Sequence, residues 1–149
     1  MYDVAVIGCG IVGAAAAYEL SRYNCRVLVL EAKNDVANVT TKANSAILHA
    51  GYDPTPGTLM AETNVRGVAL AKELCEKLDV EREEIGSLVL AFGEEDERHL
   101  EKLYQQGLAN GVPGIELLTA DEVHALEPNV SDKVTAALYA PTAAIVSPW

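Results

Sequence analysis

The sequence predicts an α/β protein that opens with a Rossmann-like βαβ unit, and three observations lead there. Val4 to Ile7 form a short apolar run of the kind found in buried parallel strands. Gly8, Gly10 and Gly13 follow at G-x-G-x-x-G spacing, and Ala14 to Ala17 continue as a small-residue helix. Val27 to Leu30 then make a second apolar run that ends in Glu31. The first glycine suits a tight turn, the second lets a pyrophosphate approach the backbone, and the third lets the helix pack on the strand. A helix N-terminus offers free N–H groups and positive partial charge to a diphosphate. A carboxylate at the end of the second strand accepts hydrogen bonds from the hydroxyls of an adenosine ribose, so the unit predicts dinucleotide binding. Such a carboxylate repels the 2′-phosphate of NADP.

The remaining elements follow from local signals. Asn24 is the expected stop of the first helix. Asp53-Pro-Thr-Pro-Gly57 is turn-rich. Thr58 caps a helix to about Leu78, with Leu70, Leu74 and Leu78 on one stripe. Ile85, Leu88, Leu90 and Phe92 belong to an apolar strand, broken from the next helix by Gly93. That helix, roughly 95 to 109, buries Leu100, Leu103 and Leu108 and stops at Asn110-Gly111. Thr119 and Glu122 form a capping box for a short helix ending before Pro128. Val134 to Tyr139 and Ala143 to Val146 read as strands separated by Pro141.

Composition narrows the classes. The chain has 149 residues, enough for one core, and half of them are hydrophobic, which argues against disorder. A net charge of −11 with no basic block disfavours nucleic acid and anionic lipid as partners. The acidic runs at Glu81–Glu84 and Glu94–Glu97 read as solvated faces. Cys9, Cys25 and Cys75 are too few and too scattered for a disulfide framework or a zinc pattern, so no metal site is expected. Without a basic leader or a long apolar span, the expected location is the cytoplasm, with peripheral association with the membrane left open.

The choice between NAD and FAD rests on Thr40-Thr41-Lys42-Ala43-Asn44-Ser45-Ala46-Ile47-Leu48-His49-Ala50-Gly51. An NAD-binding module needs a further βαβ unit after Glu31, and this run does not supply one. Its hydroxyls, backbone N–H groups and small side chains suit phosphate and flavin instead. With the glycine turn and Glu31, the stretch Asn44 to Gly51 resembles the D-amino-acid-oxidase-type (DAO) superfamily of FAD-dependent oxidoreductases. Within it the chain looks most like anaerobic-type glycerol-3-phosphate dehydrogenases and L-2-hydroxyglutarate dehydrogenases. Pro56 to Leu59, Gly86 to Ala91, Leu117 to Pro128 and Ala144 to Pro148 extend the resemblance along the chain. Ala46 stands where the family usually has Gly, which requires an ordinary backbone conformation there. Lys42 and Ala43 replace the common Gly-Arg pair.

The resemblance implies an N-terminal part of a larger flavoprotein. Residues 1–84 are expected to bind FAD and 85–149 to begin an α+β substrate domain, with exposed apolar surface and self-association in the isolated chain. The cofactor-binding candidates are Gly8, Gly10, Ile11, Val12 and Gly13 in the turn and helix start, and Glu31 and Ala32 at the second strand's end. Thr40, Thr41, Asn44, Ser45, Ala46 and Leu48 in the loop complete the set. His49 is the catalytic candidate, with a structural histidine as the competing reading; Tyr52 and Asp53 read equally as site or turn residues. His99 and His124 are expected at the surface. The implied reaction is oxidation of a secondary alcohol, most plainly glycerol 3-phosphate, with L-2-hydroxyglutarate as the alternative. A partner subunit, quinone or oxygen would take the electrons. A catalytically inactive flavin-binding chain is the third reading.

Overall fold

The computed structural model describes residues 1–147, so Pro148 and Trp149, which close both the expected substrate domain and the last family-like segment, lie outside the described residues. The described chain divides into two compact units, residues 1–45 and 46–147. The stretch 46–84, expected to serve FAD binding, thus shares a compact unit with 85–147.

In the first unit β1 (Val4–Ile7) and β2 (Val27–Leu30) pair in parallel, Val4 opposite Val27 and Ile7 opposite Leu30, as the apolar runs predict. Between them α1 covers Ile11–Leu20, ending earlier than Asn24 because the chain turns at Ser21, whose hydroxyl donates to Tyr18 O at 2.7 Å. The strands are not buried, with Ile7 88 % and Leu30 50 % exposed, and no residue of α1 is buried. Two strands and one helix cannot cover both faces of a parallel sheet. The exposed apolar surface anticipated for this chain is therefore present here. Of the close packing expected along Ala14 to Ala17 only the half-buried Ala17 takes part, next to Gly13, since Ala14, Ala15 and Ala16 are exposed.

The second unit is built on antiparallel ladders. β3 (Ile47–Leu48) and β4 (Arg82–Glu83) flank β8 (Ala144–Val146), while β5 (Ser87–Ala91) and β6 (Glu116–Thr119) flank β7 (Ala136–Ala140). β3, β4 and β6 are too short or too irregular in pattern to stand out from sequence. Around them run α2 (Leu59–Leu78), α3 (Glu94–Asn110) and α4 (Ala120–Leu126). Thr58 Oγ1 accepts from Ala61 N–H at 3.3 Å, and Gly111 closes α3 with φ of 77°. Thr119 and Glu122 make the expected reciprocal capping box, the carboxylate taking the Thr119 N–H at 2.8 Å.

Strand β7 alternates between two apolar clusters. Leu138 and Ala140 pack with Ala91, Leu100, Leu103, Val112 and Ile115 on the α3 side. Ala137 packs with Leu118, Val123 and Val134 on the α4 side. The period of 2 in β7 thus meets a helix on each face. Not every predicted core residue is inside. Leu108 is exposed, as are Ile85 and Phe92, which fall outside β5. The stripe of α2 also stays open, with Leu70 44 % and Leu78 56 % exposed. Ala61 is the one buried residue of that helix. Helical spacing aligns side chains on a face but does not supply a surface to cover it.

Leu138 is fully buried at the centre of this arrangement. Replacing it with Ala is expected to cost about 2–5 kcal/mol in denaturant unfolding of the second unit. A loss below about 1 kcal/mol would show that the core lies elsewhere.

Candidate functional site

The glycine turn is held by side chains from distant positions. Gly8 adopts φ of 93°, outside the range comfortable for a residue with Cβ, and its N–H donates to Leu30 O at 2.7 Å. A Cβ on Gly13 would lie 2.0 Å from Gly8 O, so only glycine lets α1 start this close to the turn. Gly10 is the N-cap of α1 and provides no side-chain cap. A helix start leaves several N–H groups without intrahelical partners. One of them, Ile11 N–H, donates to Thr41 Oγ1 at 3.0 Å. A Cβ on Gly10 would sit 3.0 Å from the same oxygen. The Thr41 hydroxyl therefore lies over the open end of the helix, where Ile11 and Val12 are exposed.

Glu31 closes the other side of the turn. Its Oε2 accepts Cys9 N–H at 2.8 Å, and its Oε1 accepts Lys33 N–H at 2.9 Å. These two backbone donors, Cys9 first, hold the carboxyl below its ordinary range because they stabilise the charged form. A carboxylate has about four lone-pair sites, so acceptor capacity remains after both bonds. Ala32 beside it is exposed, as are Thr40, Asn44 and Ser45 further on. Asn44 Nδ2 donates to Thr41 O, which folds the loop back on itself. A helix start whose N-cap has no side chain and of which Thr41 takes one N–H, a glycine surface and a charged acceptor with spare lone pairs are what an adenosine diphosphate requires, so the residues present fit the dinucleotide.

Ala46, Leu48 and His49 belong to the second unit. Ala46 has φ of 61°, so the ordinary backbone expected for this departure from glycine is not what forms. Its carbonyl accepts Val146 N–H at 2.9 Å, and β3 starts directly after it; that tie holds the residue in the left-handed region. Leu48 is half-buried in β3, opposite Ala144. The His49 side chain is exposed, and its carbonyl accepts from Asn64 Nδ2. Tyr52 is half-buried and packs against the core beside Ala50, whereas Asp53 is exposed. His99 is exposed and His124 half-buried on α4.

The sequence-predicted residues thus form two groups. Gly8, Gly10, Ile11, Val12, Gly13, Glu31 and Thr41 come together in the first unit through the bonds above, with Ala32, Thr40, Asn44 and Ser45 at its exposed margin. Ala46, Leu48 and His49 follow one another at the start of the second. The Thr41 bond to Ile11 was not foreseen, because a Thr in a polar loop carries no signal of which distant N–H it will meet. A cavity of about 370 Å³ between the end of α2 and β4 is lined by Lys72, Cys75, Glu76 and Arg82 and contains none of these residues.

An open-ended glycine turn between parallel strands, closed by a strand-end glutamate, defines a dinucleotide-binding protein. The match to the family model "FAD dependent oxidoreductase" (DAO) spans residues 3–149, and the chain belongs to that family, whose cofactor is FAD. Over its whole length it is 51 % identical to a glycerol 3-phosphate dehydrogenase of Caloramator mitchellensis, of which it covers 31 %. It is 34 % identical over 98 % of its length to the mitochondrial L-2-hydroxyglutarate dehydrogenase of Dictyostelium discoideum, covering 33 % of that protein. Among solved structures, L-alpha-glycerophosphate oxidase of Mycoplasma pneumoniae with FAD bound matches 99 % of this chain with a TM-score of 0.89 and 34 % identity, over 39 % of its own length. The chain spans about a third of the length of the curated relatives it matches.

Two outcomes follow. Ala46→Gly relieves the left-handed strain and should stabilise the second unit by about 0.5–1 kcal/mol in denaturant melts, offset in part by the freer unfolded chain; destabilisation would mean that the methyl group contributes packing. Glu31, with its folded-state pKa depressed, contributes stability that is complete above the ordinary glutamate pKa and lost as pH falls through the lowered value. Melting of the first unit followed from about pH 7 down to about pH 3 should therefore weaken on the acid side, and the drop should shrink in Glu31→Gln. An equal acid slope in both proteins would remove Glu31 from the linkage.

Proposed function

We propose that this chain is the FAD-binding portion of a flavin-dependent dehydrogenase that oxidises the secondary hydroxyl of glycerol 3-phosphate. The observation that carries the cofactor assignment is the exposed start of α1, where Gly10 gives no side-chain cap, Thr41 takes the Ile11 N–H and Glu31 stands at the edge of the turn. In this reading residues 1–84 serve FAD and residues from 85 onward serve the substrate side. The N–H groups of Val12 and Gly13 and the Thr41 hydroxyl hold the diphosphate, Glu31 accepts the ribose hydroxyls, and Ala32, Thr40, Asn44, Ser45, Ala46 and Leu48 line the remaining length of the cofactor.

FAD, when bound, supplies the acceptor for a hydride from the carbon that bears the hydroxyl. This chain's part in the chemistry is assigned to His49, whose exposed imidazole takes the hydroxyl proton as the C–H bond breaks. The higher identity to a glycerol 3-phosphate dehydrogenase, 51 % against 34 % for the L-2-hydroxyglutarate enzyme, favours the phosphorylated substrate. L-2-hydroxyglutarate is the second reading, and a flavin-binding chain without activity of its own is the third. An electron acceptor or partner subunit reoxidises the flavin. We assign the protein to the cytoplasm, with the surface of the membrane as the alternative, because three free cysteines suit a reducing compartment. The open apolar face of the first unit supports self-association of the chain by itself.

Titration with FAD, with NAD as the comparison, tests the cofactor assignment through flavin fluorescence and heat. FAD should bind saturably and NAD should not, and Gly10→Glu should abolish binding by placing a charged side chain against Thr41 and the diphosphate position. NAD binding in place of FAD would overturn the reading. In the protein that carries this chain, glycerol 3-phosphate should reduce the flavin faster than L-2-hydroxyglutarate, and His49→Ala should lower kcat by about 10²–10⁴-fold. The reverse substrate order would select the second reading.

A further inference from the structure

The segment from His49 to Pro54 is irregular, yet Ala50, Gly51 and Pro54 are buried. Carbonyls of an irregular segment have no ladder partner, and those of the buried Gly51 and Pro54 need donors from elsewhere. They find them in three carboxamides. Asn110 Nδ2, at the end of α3, donates to Gly51 O at 2.9 Å and to Pro54 O at 2.8 Å. One turn earlier, Gln106 Nε2 donates to Asp53 O at 3.1 Å and to Tyr52 O at 3.4 Å. Asn64 Nδ2, on α2, donates to His49 O. An amide nitrogen carries two hydrogens, and in Asn110 and Gln106 both are used on this one segment.

Two glycines admit the segment to this position. Gly51 has φ of 105°, and a Cβ there would lie 2.6 Å from Val65 Cγ2 on α2. A Cβ on Gly107 would meet Ile115 Cδ1 at 2.4 Å and Tyr52 Cβ at 3.1 Å. The segment is therefore seated between α2 and α3 without room to shift, and five of its six carbonyls, those of His49, Gly51, Tyr52, Asp53 and Pro54, take side-chain donors. Side-chain amides are well suited to this task. They donate without carrying charge, so the exposed His49 beside them stays free of a nearby cation or carboxylate from the clamp.

From this geometry we infer that Asn64, Gln106 and Asn110 are positioning residues that hold the backbone of His49 to Pro54 in the conformation that meets the flavin. The inference rests on the FAD reading above for its functional half. The three residues act through the backbone of the segment and touch neither substrate nor cofactor in this role.

Asn110→Asp is the informative substitution, since it keeps the shape of the side chain and turns donors into acceptors against two carbonyl oxygens. Gln106→Glu and Asn64→Ala test the other ties, and Asn129→Ala, whose amide bonds Glu127 instead, is the comparison variant. Amide hydrogen exchange of peptides covering 46–55 and the visible circular dichroism of bound FAD are measured in each full chain. Exchange within 49–53 should accelerate about tenfold in Asn110→Asp while the middle of α3 keeps its protection. The flavin band should change in Asn110→Asp and Gln106→Glu and stay as in the wild type in Asn129→Ala. If Asn110→Asp does not fold, Gln106→Glu and Asn64→Ala carry the same comparison. Unchanged exchange in the clamp variants would overturn the inference, and faster exchange with an unchanged flavin band would reduce the clamp to a structural tie. A wild-type chain that binds no FAD would overturn the proposed function and the positioning role with it, while exchange would still report whether the ties hold the segment.

Discussion

Irregular backbone must have its N–H and C=O groups satisfied by something other than a ladder, and this requirement organises both parts of the candidate site. In the first unit the donors are in excess, because a glycine turn runs into the start of a helix. Glu31 and Thr41 supply the acceptors, one from the end of β2 and one from the following loop. In the second unit the acceptors are in excess, because the irregular segment 49–54 leaves its carbonyls outside any ladder. Asn64, Gln106 and Asn110 supply the donors. The two solutions differ in charge for a physical reason. A carboxylate reinforces the positive end of a helix and a row of N–H groups, whereas carbonyls are served by neutral amides without adding a charge beside His49.

The units also differ in how completely they bury apolar surface. Strand β7 has neighbours on both edges and a helix on each face, so its alternating residues all find partners. The βαβ unit has strands bonded on one edge only and leaves Ile7, Leu30 and Val12 open. A parallel sheet is stable when covered on both faces, and two strands with one helix do not supply that cover. The glycine turn nevertheless forms in full, because its geometry depends on short-range contacts: Gly13 against Gly8 O, and Cys9 N–H on Glu31. Local cofactor geometry and global burial are separable here.

Ala46 shows how a single departure from a family pattern is absorbed. The position keeps the left-handed conformation for which glycine is suited, and the alanine is forced into it by the bond from Val146 N–H and by the β3–β8 ladder. A methyl group in that region costs about 1–2 kcal/mol, an amount that several backbone hydrogen bonds outweigh. The sheet therefore prevails over the residue's own preference, which an argument from alanine's propensity alone does not capture.

Much of the fold was legible from the chain itself. The runs at Val4 and Val27, the glycine spacing and Glu31 announced the βαβ unit, and Thr58, Gly111 and the Thr119–Glu122 box marked helix ends to within a residue or so. These signals are local, set by steric rules and by hydrogen bonds a few residues long. What only the tertiary structure decided is which surfaces find a cover and which distant groups meet. Leu70 and Leu78 lie on a proper helical stripe and remain open, while Asn110, which in sequence reads simply as a helix stop, ties down a segment more than fifty residues earlier. Periodicity encodes the face a side chain occupies, but its partner is chosen by the folding of the whole chain, and hydrogen bonds across such separations leave no mark in local sequence.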